Sequence, residues 1–179
     1  MVKTVFDAAV MNCYRSHVPA GYYDKVRGHT GVDLHYQFEP LACPITGEVI
    51  ATPHQNQMGN CLYIQDEKGA IHVFAHLSAF MVKQGDNVTR NQIIAKTGNS
   101  GNPPTGGSYP AHLHYEIVTA QPVNAEDAVM HRPELTAALD GKGFNTDPLR
   151  YDRALYAEFN IDPTTGEPIV VPGNDPKGF

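Results

Sequence analysis

No apolar run in this sequence approaches the length needed to span a membrane. The opening stretch, MVKTVFDAAVMNCYRSH, lacks the apolar core and cleavage site of a secretory leader. Lys and Arg nowhere cluster and the net charge is −6, so nucleic acid and anionic membrane surfaces are poor partners. There are only three cysteines, Cys13, Cys43 and Cys61, and no Cys-x-x-Cys, which argues against a thiolate zinc site or a redox motif. The odd count argues against a disulfide framework and favours small buried apolar residues, with a Cys43–Cys61 bridge left open. His-Glu-x-x-His is absent, which removes the helix-borne zinc scheme. Gly-x-Ser-x-Gly is absent too, and no cysteine stands in a nucleophile motif. Tryptophan, solenoid repeats and coiled-coil heptads are also missing.

Histidine, glycine and proline are plentiful instead: nine, 16 and 14 in 179 residues. The length suits one decorated domain with its own core. The Gly and Pro content favours many turns and short strands. The histidine excess is best explained from Ala111-His112-Leu113-His114-Tyr115-Glu116-Ile117, which alternates apolar and polar. Period-2 alternation predicts a half-buried strand, on which residues i and i+2 share a face. His112, His114 and Glu116 then point one way, and Leu113, Tyr115 and Ile117 point toward a core. Paired imidazoles aimed at one spot are common metal ligands, whereas a lone strand histidine is usually only hydrogen-bonded.

A second constellation is Gly28-His29-Thr30-Gly31-Val32-Asp33-Leu34. His29 sits in a glycine-flanked loop that runs into a strand presenting Asp33. Alone, His-x-x-x-Asp is a weak signal, and a turn or cap role for Asp33 competes with it. CLYIQ and AIHVFAHL read as two strands joined by a hairpin turn at Asp66-Glu67-Lys68-Gly69. Alternation places His72, Phe74 and His76 on one face, with His72 at the sheet surface and His76 at the strand's end. His54 falls in a polar, solvated loop. Residues 82–98 read as a compact β-meander, and 99–110, NSGNPPTGGSYP, as a long loop delivered into His112. Residues 1–20 suggest a short helix or an arm, 121–143 a helix with Pro133 in its first turn and Gly141 past its end, and 145–151 a docking segment.

Together His29, Asp33, His76, His112 and His114 satisfy the needs of a metal hydrolase. Catalytic zinc commonly takes three His, Asp or Glu ligands and keeps one position for water. Two further groups can move protons and stabilise an oxyanion. Glu116 fits as an outer partner of a ligand.

GHTGVDL, AHLS, GDNVTRNQIIAKTGNSG and AHLHYEI occur in the order and spacing of the lysostaphin-like (LytM-type) zinc endopeptidases, bacterial cell-wall hydrolases. The resemblance covers residues 28–118, roughly half the chain. It implies a mainly β fold: an antiparallel sheet domain of LytM/lysostaphin type, duplicated hybrid motif-like, with a loop-walled groove and few short helices. It implies one catalytic zinc held by His29, Asp33 and His114. His76 and His112 would be catalytic histidines that do not ligate it, and Tyr23, beside Tyr22, would assist the oxyanion. The expected organisation is an N-terminal arm 1–20, a zinc endopeptidase domain 21–152 and a C-terminal arm 153–179. The expected substrate is a peptidoglycan cross-link peptide, with D-alanyl–diaminopimelate preferred over glycyl bonds. The expected place of action is the wall, whether periplasmic, extracellular or virion-associated. With no wall-binding module in view, delivery by a partner or virion is expected. Two rivals remain: a non-catalytic binding or activating module on the same fold, and a carrier or phosphotransfer domain, since GDNVTRNQIIAKTG also resembles the turns of lipoyl-type barrels.

Overall fold

The computed structural model describes residues 5, 8–16, 28–124, 127, 130 and 143–151. Within them the chain is built from antiparallel strands. The larger sheet runs β1 (Val10–Asn12), β2 (Val32–Leu34), β11 (Leu113–Thr119), β7 (Ile71–Leu77), β6 (Gly59–Asp66), β4 (Gly47–Ala51) and β9 (Asn87–Val88). Along one edge of β11, β2 and β12 (Phe144–Thr146) sit end to end, and β5 (His54–Gln55) adds to β6. A smaller sheet orders β3 (Pro40–Ala42), β10 (Ile93–Lys96) and β8 (Ala79–Phe80). No helix of the described residues is long and apolar enough to cross a membrane.

The expected alternation of β11 decides the layering. Leu113, Tyr115 and Ile117 enter the main core with Leu34, Phe74 and Leu62, and Leu41 and Ile94 of the smaller sheet close it. The opposite face carries a smaller cluster, in which Tyr63, Val73 and Ala75 lie beside the polar residues of β11. Each fully buried Leu, Ile or Phe contributes about 1.5–3 kcal/mol relative to exposure. All three cysteines are thiols, with Cys43 packed in the first cluster and Cys61 in the second.

The hairpin forms as its turn chemistry requires. Asp66 Oδ1 accepts from the N–H groups of Lys68 (2.9 Å) and Ala70 (2.8 Å), and Gly69 takes φ +85°. Several expectations need correction. His72 is not at the sheet surface but fully buried, which its partners permit: its ring nitrogens meet the Tyr115 hydroxyl (2.7 Å) and Asp66 Oδ2 (3.1 Å). His76 does not share a face with His72 and Phe74. Its φ of +58° breaks the alternation, so its ring turns to the His114 side and Leu77 takes the core position. Residues 82–98 do not pair among themselves: β9 joins β4 in the larger sheet, while β10 joins β3 and β8. Residues Val10–Asn12, expected in a helix or arm, form a strand on β2. His54 is exposed as expected, although it lies in β5, with its Nδ1 on Asn60 Oδ1 (2.9 Å). The docking segment is present as β12 followed by a helical turn at 148–151. The helix expected over 121–143 falls largely outside the described residues, and the C-terminal arm 153–179 falls wholly outside them.

Candidate metal centre

Three neighbouring strands and one loop build the site. β2 and β11 pair with Asp33 opposite His114, and β11 and β7 with His114 opposite Ala75, so both side chains project from the same face. The loop before β2 adds His29. His29, Asp33 and His114 each offer one ligand atom, and these atoms lie within 4.8 Å of one another. His114 Nδ1 is 2.8 Å from Asp33 Oδ1, and His29 Nε2 is 3.2 Å from that oxygen and 3.1 Å from His114 Nδ1.

The far side of each imidazole is tied to an obligate acceptor. His29 Nδ1–H donates to the Cys13 carbonyl (3.0 Å), and His114 Nε2–H donates to Glu116 Oε1 (2.9 Å). In the neutral rings these bonds put the lone pairs of His29 Nε2 and His114 Nδ1 toward Asp33. Three acceptors converging on one point repel unless a proton or a cation stands between them. Glu116 is fully buried and also accepts from the Thr30 hydroxyl and Asn145 Nδ2 (3.2 Å). Burial pushes the His114 pKa down, but the bonds to Asp33 and Glu116 outweigh it and raise the value to about 9. Burial likewise pushes Asp33 up, and its bonds from His114 and His29 hold it far below the usual carboxylate range. The two carboxylates thus make the cluster a place that draws positive charge. His and Asp donors in this number fit a zinc ion with an open fourth position.

His76 and His112 stand one step out. Their ring centroids are 4.5 Å apart, and His112 Nε2 is 3.7 Å from Asp33 Oδ1. His76 Nδ1–H donates to the Ser100 carbonyl (2.8 Å) and His112 Nδ1–H to the Pro110 carbonyl (2.7 Å), which leaves each Nε2 as a lone pair. Burial, then the neighbouring His114 and His112, lowers the His76 pKa to about 3. Burial also lowers that of His112. Both rings are therefore neutral at pH 7 and able to accept a proton. The 99–110 loop stands beside them as expected, with the Tyr109 ring 4.4 Å from that of His76.

Tyr23 and Tyr22 lie outside the described residues. Sequence reasoning missed Asn12, Thr30, Ser100, Tyr109, Asn145 and the Cys13 carbonyl. Thr30, inside the His-Thr-Gly-Val-Asp run, was within reach of inspection. Ser100 and Tyr109 lie in the loop expected beside the site, while Asn12, Asn145 and the Cys13 carbonyl carry no local signal, because their roles depend on contacts distant in sequence.

Gly31 shows why that run needs its second glycine. A Cβ there would come within 2.2 Å of the Tyr115 carbonyl oxygen. Gly31→Ala is expected to force β2 off β11 and destabilise the domain by at least the about 1–3 kcal/mol of an overpacked core. Urea denaturation checks this, and an unchanged midpoint would refute it.

The family pattern for Peptidase family M23 matches residues 27–125. Over 141 residues the chain is 35% identical to the DD-carboxypeptidase/endopeptidase Mpg of Neisseria meningitidis, a match covering 78% of this chain and 31% of that protein. The chain thus spans about a third of the length of the curated relatives it matches first. Among solved structures, the catalytic domain of lysostaphin from Staphylococcus simulans superposes with a TM-score of 0.61 at 20% identity, over 83% of this chain and 95% of that one. A zinc-containing peptidase from Vibrio cholerae superposes at 0.53 and 26% identity, over 62% and 33%. With this match over more than half its length, the chain belongs to peptidase family M23.

Proposed function

We propose that this chain is a zinc-dependent endopeptidase that hydrolyses peptide cross-links of bacterial peptidoglycan. The observation that carries the reading is the convergence of His29 Nε2, Asp33 Oδ1 and His114 Nδ1, with both imidazoles locked from behind. These three atoms would hold the ion. When bound, zinc supplies Lewis acidity and brings the pKa of water toward about 7. His76 and His112, neutral and with Nε2 exposed to the site, accept a proton during attack and return it to the leaving amine. Tyr23, outside the described residues, is assigned the oxyanion role that the resemblance to lysostaphin-like enzymes implies.

The preferred bond is D-alanyl–diaminopimelate. The names of two relatives, the DD-carboxypeptidase/endopeptidase Mpg of Neisseria meningitidis and the peptidoglycan DD-endopeptidase ShyA of Vibrio cholerae, support that choice over a glycine bridge. A net charge of −6 gives no attraction to anionic wall polymers, and any such pull is screened beyond about 8–10 Å. We place its action at the wall, in the periplasm or outside the cell, with a partner or virion as a candidate for its delivery. Purified protein is expected to convert cross-linked muropeptide dimers to monomers, and a chelator to stop it. Stoichiometric zinc without turnover would favour a binding or activating module instead. Ready cleavage of pentaglycine with dimers left intact would overturn the choice of bond.

A further inference from the structure

β1 supplies none of the three clustered groups, yet it reaches them. In a regular ladder running from the Val10–Leu34 pair, Met11 would face Asp33. A register shift puts Asn12 there instead. Bulges of this kind re-aim a side chain beside a site. Asn12 Nδ2–H donates to Asp33 Oδ2 at 2.8 Å, while Asp33 Oδ1 faces His29 and His114. The two carboxylate oxygens are thereby given different tasks.

The next residues grip the other end of the ligand segment. The Cys13 carbonyl takes the Nδ1–H of His29. The Arg15 N–H donates to the His29 carbonyl (2.7 Å), and the His29 N–H donates to the Ser16 carbonyl (3.0 Å). Gly28, at φ +73°, lets the segment after β1 approach the loop that carries His29, since a Cβ there would sit 2.7 Å from the Arg15 carbonyl oxygen. Residues 12–16 thus hold His29 by its main chain and its ring, and Asp33 by its spare oxygen.

We propose that residues 12–16 form a clamp on the metal centre, in which Asn12 is a positioning residue that makes Asp33 a one-oxygen ligand. This rests on the zinc reading above. Without the Asn12 amide, the carboxylate is free to turn about χ2 and offer both oxygens, and its placement is no longer prepaid. Outer partners of metal ligands typically govern affinity by about 10–100-fold.

The test is zinc affinity by competition with a chromophoric chelator, with the visible spectrum of the cobalt-substituted protein as a second readout. Asn12→Leu, near in volume but without a donor, and Asn12→Ala are both expected to weaken zinc binding about 10–100-fold and to change the cobalt bands. Met11→Leu, on the same strand but exposed, is expected to leave both unchanged. Asn12 is itself exposed, so its variants should fold, and circular dichroism checks that they do. Wild-type affinity and an unaltered cobalt spectrum in both Asn12 variants would overturn the clamp while the zinc reading stands. Failure of the wild-type protein to bind zinc would overturn the zinc reading and the clamp with it.

Discussion

Alanine at His29, Asp33 or His114 is expected to abolish stoichiometric zinc binding and, with it, peptide hydrolysis. The three groups come from a loop and two strands, so removing any one of them leaves a site with two of its three donors. Two remaining donors do not hold a catalytic zinc, whose sites commonly use three protein ligands. Asp33→Ala should be the most damaging. Its Oδ1 is the group on which His29 Nε2 and His114 Nδ1 converge, and its loss leaves two imidazoles facing each other at 3.1 Å. The drop in affinity should exceed the about 10–100-fold cost of losing an outer partner. Elemental analysis of the purified variants decides the matter: full zinc occupancy in all three would sink the assignment.

His76→Ala and His112→Ala should behave differently, retaining zinc while losing activity by about 10²-fold or more, the scale of a general acid–base group. Both rings are anchored through Nδ1 to main-chain carbonyls, so Nε2 is the atom left to accept a proton in each. The direction of their pKa values matters here. Burial disfavours the imidazolium in both, so the proton-accepting form is present at neutral pH and is lost only as pH falls through the lowered values. Zinc content measured beside turnover separates the two classes of variant. Loss of zinc from His112→Ala together with its retention in His114→Ala would reverse the roles of the two strand histidines.

The candidate site was legible in the sequence to an unusual depth because its central piece is local. His112, His114 and Glu116 need only a strand's period of two to share a face, and Leu113, Tyr115 and Ile117 need only the same period to enter the core. The loop–strand passage from His29 to Asp33 and the Asp66–Gly69 turn follow from glycine freedom and from an aspartate's short reach to nearby N–H groups.

What escaped the sequence is whatever depends on partners far along the chain. His76 belongs to the site only because a positive φ turns it out of its strand's alternation, and no composition signal marks that torsion. His72 has the same polarity as a surface residue, yet Asp66 and Tyr115, 6 and 43 positions away, satisfy both ring nitrogens and allow it to be buried. Residues 82–98 carry strand-and-turn chemistry that suits a meander as well as it suits strands dealt to two sheets. The choice lies with β3 and β4, not with the segment itself. Asn12 is an ordinary polar residue in a weakly patterned stretch until a bulge in β1 sets it against Asp33. Periodicity, turns and ligand spacing are short-range properties that the sequence determined by itself. Pairing partners, strand register and the burial of polar groups are long-range contacts, and they took definite form only when the sheets closed.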